Sequence, residues 1–409
     1  MKTEQEHNDE QCTMNNVQWK KVKLGECCTI HGRIGFRGYT TDDLVEKGYG
    51  AITFSPSDIH NFKLCYDDCD YITWKKYEES PEIKVFNGDI LFCKTASIGK
   101  CAYVEGLKEK ATINPQFVVL KNFQCDSKFL FYKLISYGFQ TQVQGITGGS
   151  TIKTMSQEKL SLEEISVPDL PAQRRIAAIL ASADKVIAAT QKTIAKYKQI
   201  KRGMMEDLLK PKDGWKMVKL GECCDKITDG CHIKPKCVAK SQFLMLSSQN
   251  IKDNKLDLSD VSYLTFDDFE RENHRTNIKA GDVLLTIVGT VGRTYLVKEN
   301  DVNFTLQRSV AVLAPKATLD SSFLLYTLNN LQFVLENEAH GCAQKGIYLK
   351  QLNQLLISIP DLAAQRRIAA ILSGIDAKIA AEEKVLEKYE KVKKGLMEKL
   401  LNEQCTMNN

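Results

Sequence analysis

The stretch His31-Gly-Arg-Ile-Gly-Phe-Arg-Gly-Tyr39 interleaves two arginines with glycines and aromatics. Those residue types read nucleic acid: Arg33 and Arg37 carry the planar fork that bonds guanine bidentately, and Tyr39 adds an aromatic ring beside them. Asp229-Gly-Cys-His-Ile-Lys-Pro-Lys236 offers a second set in His232, Lys234 and Lys236. Lys94, Lys100, Arg293 and Arg308 are of the type that clamps phosphates, which gives affinity without sequence information. Gly148-Gly149-Ser150-Thr151 can point backbone N–H groups at a phosphate.

None of these groups makes or breaks a bond, and the constellations that do are missing. The chain has no GxxxxGK[ST] phosphate loop, no Asn/Asp-Pro-Pro-aromatic tetrapeptide and no acid–acid–lysine nuclease set. Pro168-Asp169 and Pro360-Asp361 begin like the last of these, but each opens a helix and lacks the Glu-x-Lys continuation. Among 14 cysteines, Cys27-Cys28 and Cys223-Cys224 are adjacent pairs, Cys65 lies four residues before Cys69, and Cys231, His232 and Cys237 cluster. A zinc site wants a second pair at fixed spacing, and no such pair is present. The cysteines read as reduced and packed, with no metal and no cofactor held by this chain. A net charge of +5 is mild, so nucleic-acid contact must come from local patches. With 43% hydrophobic and 26% charged residues, no apolar run of 18 and a polar start (MKTEQEHNDEQ), the expectation is a globular, cytoplasmic protein with no membrane contact.

The elements that must position these side chains come in two sets. Asp89-Ile-Leu-Phe-Cys and Asp282-Val-Leu-Leu-Thr read as strands, as do Gln116-Phe-Val-Val-Leu and Ser309-Val-Ala-Val-Leu. Gly88-Asp89…Ser97-Ile-Gly99-Lys100 matches Gly281-Asp282…Thr290-Val-Gly292-Arg293. Residues 17–167 and 215–359 therefore share an α+β fold, expected to contain a strongly bent sheet, while 29–80 and 226–275 have diverged. A fixed scaffold with varied loops suits recognition. Each block opens almost identically, WKKVKLGECC from Trp19 and WKMVKLGECC from Trp215.

Each block is followed by the same long segment. PDLPAQRRIAAIL… from Pro168 and PDLAAQRRIAAIL… from Pro360 share 25 of 42 positions at an offset of 192, too many for coincidence. Apolar residues recur at heptad spacing: Ile176, Leu180, Ile187, Ile194 and Tyr197 in one, Ile368, Leu372, Ile379, Leu386 and Tyr389 in the other. The seam is interrupted by polar residues, among them Lys201 and Lys393. Helices of about 60 Å with so narrow an apolar face need a partner. Each is expected to pair with the other as an antiparallel coiled coil, the alternative being that each packs on its own block. Arg174, Arg175, Arg366 and Arg367 lie on the outer faces, where alanines leave room for a partner's helix. The domain plan is a polar tail (1–16), a first globular domain (17–167), a central helix (168–210), a second domain (211–359), a C-terminal helix (360–402) and a tail (403–409) in which EQCTMNN repeats 10–16. The order is cyclic and pseudo-two-fold, with both ends expected near the first domain.

Duplicated PDLxAQRRIAAIL, long helices and two diverged blocks together closely resemble the specificity subunit of type I restriction–modification enzymes, over residues 17–402. The resemblance implies that each block is a target-recognition domain reading one half of a split, asymmetric site in double-stranded DNA. It implies helices that set the spacer and dock two modification (methyltransferase) subunits, joined by two restriction (ATP-dependent translocase and nuclease) subunits. S-adenosylmethionine, ATP and Mg would belong to those partners, and this chain would not be a catalyst. Two other readings remain at this stage: a stand-alone two-headed DNA-binding regulator, and a nuclease with a diverged site.

Overall fold

The computed structural model describes residues 18–146, 154–232, 235–252, 254–301, 303–339 and 346–402. It divides into two compact units that do not follow chain order: residues up to Thr190 with Val385 onward, and Gln191–Lys384. Each unit holds one globular block, the first half of the helix leaving that block, and the second half of the other long helix.

In the first unit, β1 (Lys20–Lys23) pairs antiparallel with β10 (Glu164–Val167), so the block's opening repeat ties back to its end. Between them lie β2 (Thr29–Gly32), β3 (Leu44–Val45), β4 (Gly50–Phe54), β5 (Tyr71–Thr73), β6 (Ile90–Cys93), β7 (Cys101–Tyr103), β8 (Ala111–Ile113), β9 (Phe117–Lys121) and α1 (Ser127–Ile135). They form two sheets, β2-β9-β6-β7 and β8-β4-β5-β3, rather than one strongly bent sheet. The first is antiparallel throughout; in the second, β8 and β4 are parallel. Strand β6 is buried on both faces, and its alternation explains why its run is continuously apolar. Ile90 and Phe92 face a core shared with α1 and the long helices, while Leu91 and Cys93 face the core between the sheets.

The first long helix, α2, spans Leu170–Leu209. The second unit repeats the plan with β11 (Lys216–Lys219), β12 (Cys224–Asp229), β13 (Phe243–Leu246), β14 (Ser262–Leu264), α3 (Phe266–Thr276), β15 (Val283–Thr286), β16 (Thr294–Leu296), β17 (Phe304–Leu306), β18 (Val310–Pro315), α4 (Ser321–Asn330), β19 (Leu356–Ile359) and α5 (Leu362–Leu400). Its sheets run β12-β18-β15-β16 and β14-β13-β17, closed by the β11–β19 ribbon. This is the first block's topology except that the second sheet has three strands, with no counterpart of β3, and Val283 and Leu285 again face the helical core while Leu284 faces the inter-sheet one.

The shared Gly-Asp pairs explain themselves. Gly88 (φ +97°) and Gly281 (φ +90°) make the left-handed turn before β6 and β15. The next carboxylate accepts a backbone N–H three residues back, from Phe86 (2.8 Å) and from Lys279 (3.0 Å). Burial pushes both carboxyls up, opposed by those bonds and by Lys121 or Lys226 nearby.

The PDLxAQ signature is an attachment device. Asp169 and Asp361 accept the N–H groups of Ala172 and Ala364, capping the helix starts. Gln173 and Gln365, almost wholly buried, bond backbone groups of both the block and the helix entry, and Gln365 also donates to Thr318 O (3.2 Å). Gln173 accepts from Asp126 N (2.8 Å) and donates to Pro168 O (2.8 Å); Gln365 accepts from Asp320 N (2.8 Å) and donates to Pro360 O (2.9 Å).

The heptad seam does two jobs. Ile176 and Leu180 belong to the first block's core, and Ile368 and Leu372 to the second's, so the opening turns pack on their own block. Ile187, Ile194 and Ile379 are buried further along. Tyr197 and Leu386 are half-buried, but Tyr389 is 37% exposed and leaves the seam. In the second unit Lys201 bridges to Asp376 (2.6 Å) and Lys198 to Glu383 (3.1 Å), so the helices run antiparallel there. In the first unit Leu401 is buried in the block's core, which also holds Trp19 at its edge. Lys133 links the two, bonding the Leu401 carbonyl (2.8 Å) and lying over the Trp19 ring. The two ends of the described chain thus meet in the first unit, as the cyclic order requires. No described helix is long and apolar enough to cross a membrane.

Candidate nucleic-acid interface

The predicted contact residues separate by environment. Arg33 is only 4% exposed, and its guanidinium bonds the Ile113 carbonyl (3.2 Å), the Arg37 carbonyl (3.3 Å) and the Thr112 hydroxyl (3.4 Å). It also lies over the Tyr39 ring at 5.2 Å, and burial lowers its pKa. Contrary to the expectation from sequence, Arg33 is spent on fixing its loop. Arg37 pairs with Glu82 (3.5 Å) and is half-exposed, and the Tyr39 hydroxyl accepts from Thr53 (3.3 Å).

Lys94 and Lys100 flank the turn between β6 and β7, and Arg293 occupies the matching turn between β15 and β16. Lys100 donates to the Pro56 carbonyl and Arg293 to the Ile251 carbonyl (3.4 Å), so both brace a neighbouring loop. Lys94 differs: it is half-buried, its ammonium has no hydrogen-bond or ion-pair partner among the described residues, and burial pushes its pKa down. In the second block its place is taken by Ile287.

His232 is exposed and bonds Asp229 (2.9 Å); Lys236 and Arg308 are exposed. Lys234 and the Gly148-Gly149-Ser150-Thr151 segment lie outside the described residues. Among the described residues no cluster of His, Cys, Asp and Glu is arranged to hold a metal ion.

On the helices, Arg174, Arg175, Arg366 and Arg367 are all exposed. The residues that sequence reading missed lie beneath. Asp184 accepts the Tyr132 hydroxyl (2.7 Å) and the Lys393 ammonium (2.7 Å), which lies over the Tyr132 ring. Asp376 does the same with Tyr326 (2.8 Å) and Lys201 (2.6 Å). Each triad joins a block to both long helices within one unit: the tyrosine comes from α1 or α4, and the other two residues from α2 and α5. The signal was present, since Lys201 and Lys393 interrupt the apolar seam at equivalent places.

Two recognition blocks of one fold, with different loops and the same joints to a helix pair, define a two-headed binding protein. The sequence pattern of the type I restriction modification DNA specificity domain matches residues 16–199 and again 212–391. The type I restriction enzyme MjaVIII specificity subunit of Methanocaldococcus jannaschii is 28% identical over 330 residues, covering 74% of this chain and 76% of its own. The EcoBI specificity subunit of Escherichia coli is 24% identical over 278 residues, covering 59% and 57%. The crystal structure of a type I restriction-modification system S subunit from M. genitalium shares the fold, with TM-score 0.60 at 15% identity over 95% of this chain and 98% of that one. The chain belongs to the type I restriction–modification DNA specificity family, with the domain present twice.

Proposed function

We propose that each block reads one half of a split, asymmetric site in double-stranded DNA. The long helices fix the spacer and dock two modification subunits, with two restriction subunits joining through them. S-adenosylmethionine, ATP and Mg are then held by those partners, and this chain contributes recognition alone. One observation carries the reading: identical joints (the buried glutamines and the Tyr–Asp–Lys triads) hold two blocks whose outward loops differ in chemistry. Two equivalent frames give two equivalent docking faces, and Arg174, Arg175, Arg366 and Arg367 are the exposed cations on them. Different loops give different half-sites: Lys94 and Arg37 belong to the first reader, His232, Lys236 and Arg308 to the second, with Lys100 and Arg293 bracing the turns of each.

Co-expression with the modification subunit, followed by native mass measurement, tests the assembly. The expected species holds two modification subunits per chain, and substituting all four arginines with glutamate lowers that occupancy. A chain that binds its DNA site alone and captures no modification subunit is a stand-alone DNA-binding protein, and the reading fails.

A further inference from the structure

We propose that Asp229, His232 and Arg275 form the specificity-determining group of the second block, with Arg275 and His232 presented to a base edge and Asp229 positioning both. This rests on reading the blocks as half-site readers.

Asp229 ends strand β12 and is 7% exposed. One carboxylate oxygen accepts Arg275 Nη2 at 2.7 Å and the other meets His232 Nε2 at 2.9 Å, with Arg275 Nη2 and His232 Nε2 3.4 Å apart. Both partners are about half exposed. Among the described residues Nε and Nη1 of Arg275 bond nothing, so most of the guanidinium fork is held in place and left unused. Because an ionised carboxylate only accepts, His232 must carry its proton on Nε2. That leaves Nδ1 as an acceptor when the ring is neutral and a donor when it is charged. A buried anion therefore fixes a planar donor fork beside an adaptable ring, the equipment for reading a guanine edge and its neighbour.

The surroundings agree. The Arg308 backbone N–H bonds the Cys231 carbonyl (2.9 Å), which lays that turn against the same loop, and Lys236 lies further along it. In the first block the register position of Asp229 is held by Gly32, since Gly32 pairs with Val118 as Asp229 pairs with Ala311. The charge one residue on, Arg33, is buried and bonded to its own fold. The blocks thus differ in their outward group at one register position, as readers of different half-sites must.

The test is single-molecule methylation sequencing of DNA from cells expressing the full gene set with wild-type, R275K, H232Q or D229N chains. R275K keeps the charge on Asp229 but loses the fork. It is expected to relax one or two base positions in one half-site, reducing discrimination there on the order of 10- to 100-fold, with the other half-site unchanged. D229N should relax the same half-site. Variant motifs identical to wild type, or a uniform fall in methylation at an unchanged motif, overturn the proposal. So does complete loss with R275K while H232Q leaves the motif intact. If the wild type itself yields no bipartite motif, the half-site reading fails before this inference is reached.

Discussion

Tyr132 and Tyr326 each put one hydroxyl on a carboxylate that a lysine from the other long helix also holds. Replacing either with Phe leaves the ring in place and removes a charge-assisted bond, so unfolding of the full chain should come about 1–2 kcal/mol easier by denaturant titration. Burial, then the bond to the aspartate, raises both phenol pKa values. A phenol whose folded value lies above its free value of about 10 adds stability that is complete below that pH and lost as pH climbs past it. Alkaline melting should therefore weaken the wild type from about pH 10 upward, and the Tyr132→Phe, Tyr326→Phe double variant should show a shallower decline. At this scale the sequence was readable where both copies kept a residue for one reason. The helix-capping aspartates and the Gly-Asp turns are such cases. It was not readable for Arg33 or Arg275. Whether an arginine is buried against carbonyls or held outward by an aspartate 46 residues away depends on the fold, and both arginines lie in segments without a counterpart.

The long helices carry two kinds of apolar contact on one heptad line, and substitutions should tell them apart. Leu180→Ala and Leu372→Ala cut into the cores of the blocks and should cost about 3 kcal/mol each. Tyr389→Ala, on an exposed side chain, should change stability by less than about 0.5 kcal/mol. Deleting seven residues from each helix (189–195 and 381–387) shortens each by about 10 Å. At 3.4 Å per base pair the spacer should contract by about three base pairs with the half-site bases unchanged. Altered half-site bases at constant spacing would contradict the ruler. Helix length, start and pairing partner were legible because a 3.5-residue period repeated twice leaves little else to bury. That the first two seam positions serve the block rather than the partner helix was not, since periodicity marks a buried face without naming what covers it. The two sheets behind one apparent strand pattern were hidden for the same reason: strands buried on both faces lose the alternation that would separate their neighbours.

At the scale of the whole chain, the duplication sets two recognition blocks in equivalent frames and reserves their differences for the loops. Exchanging residues 215–359 for the corresponding block of another family member that keeps an aspartate and a tyrosine at the places of Asp320 and Tyr326 should change one half-site and leave the other and the spacing untouched, because the new block then makes the same joints to Gln365 and Asp376. The family and its two-fold plan were legible in the repeat itself; the bases read were not, because loops that diverge freely share no pattern, and groove contacts depend on DNA shape as well as on side chains. Single-molecule methylation sequencing of cells with and without this gene tests the central claim most directly. The account predicts one methylated motif that disappears with the gene and consists of two unlike half-sites at a fixed spacing. A motif that persists without the gene, or one that is continuous or palindromic, would contradict it.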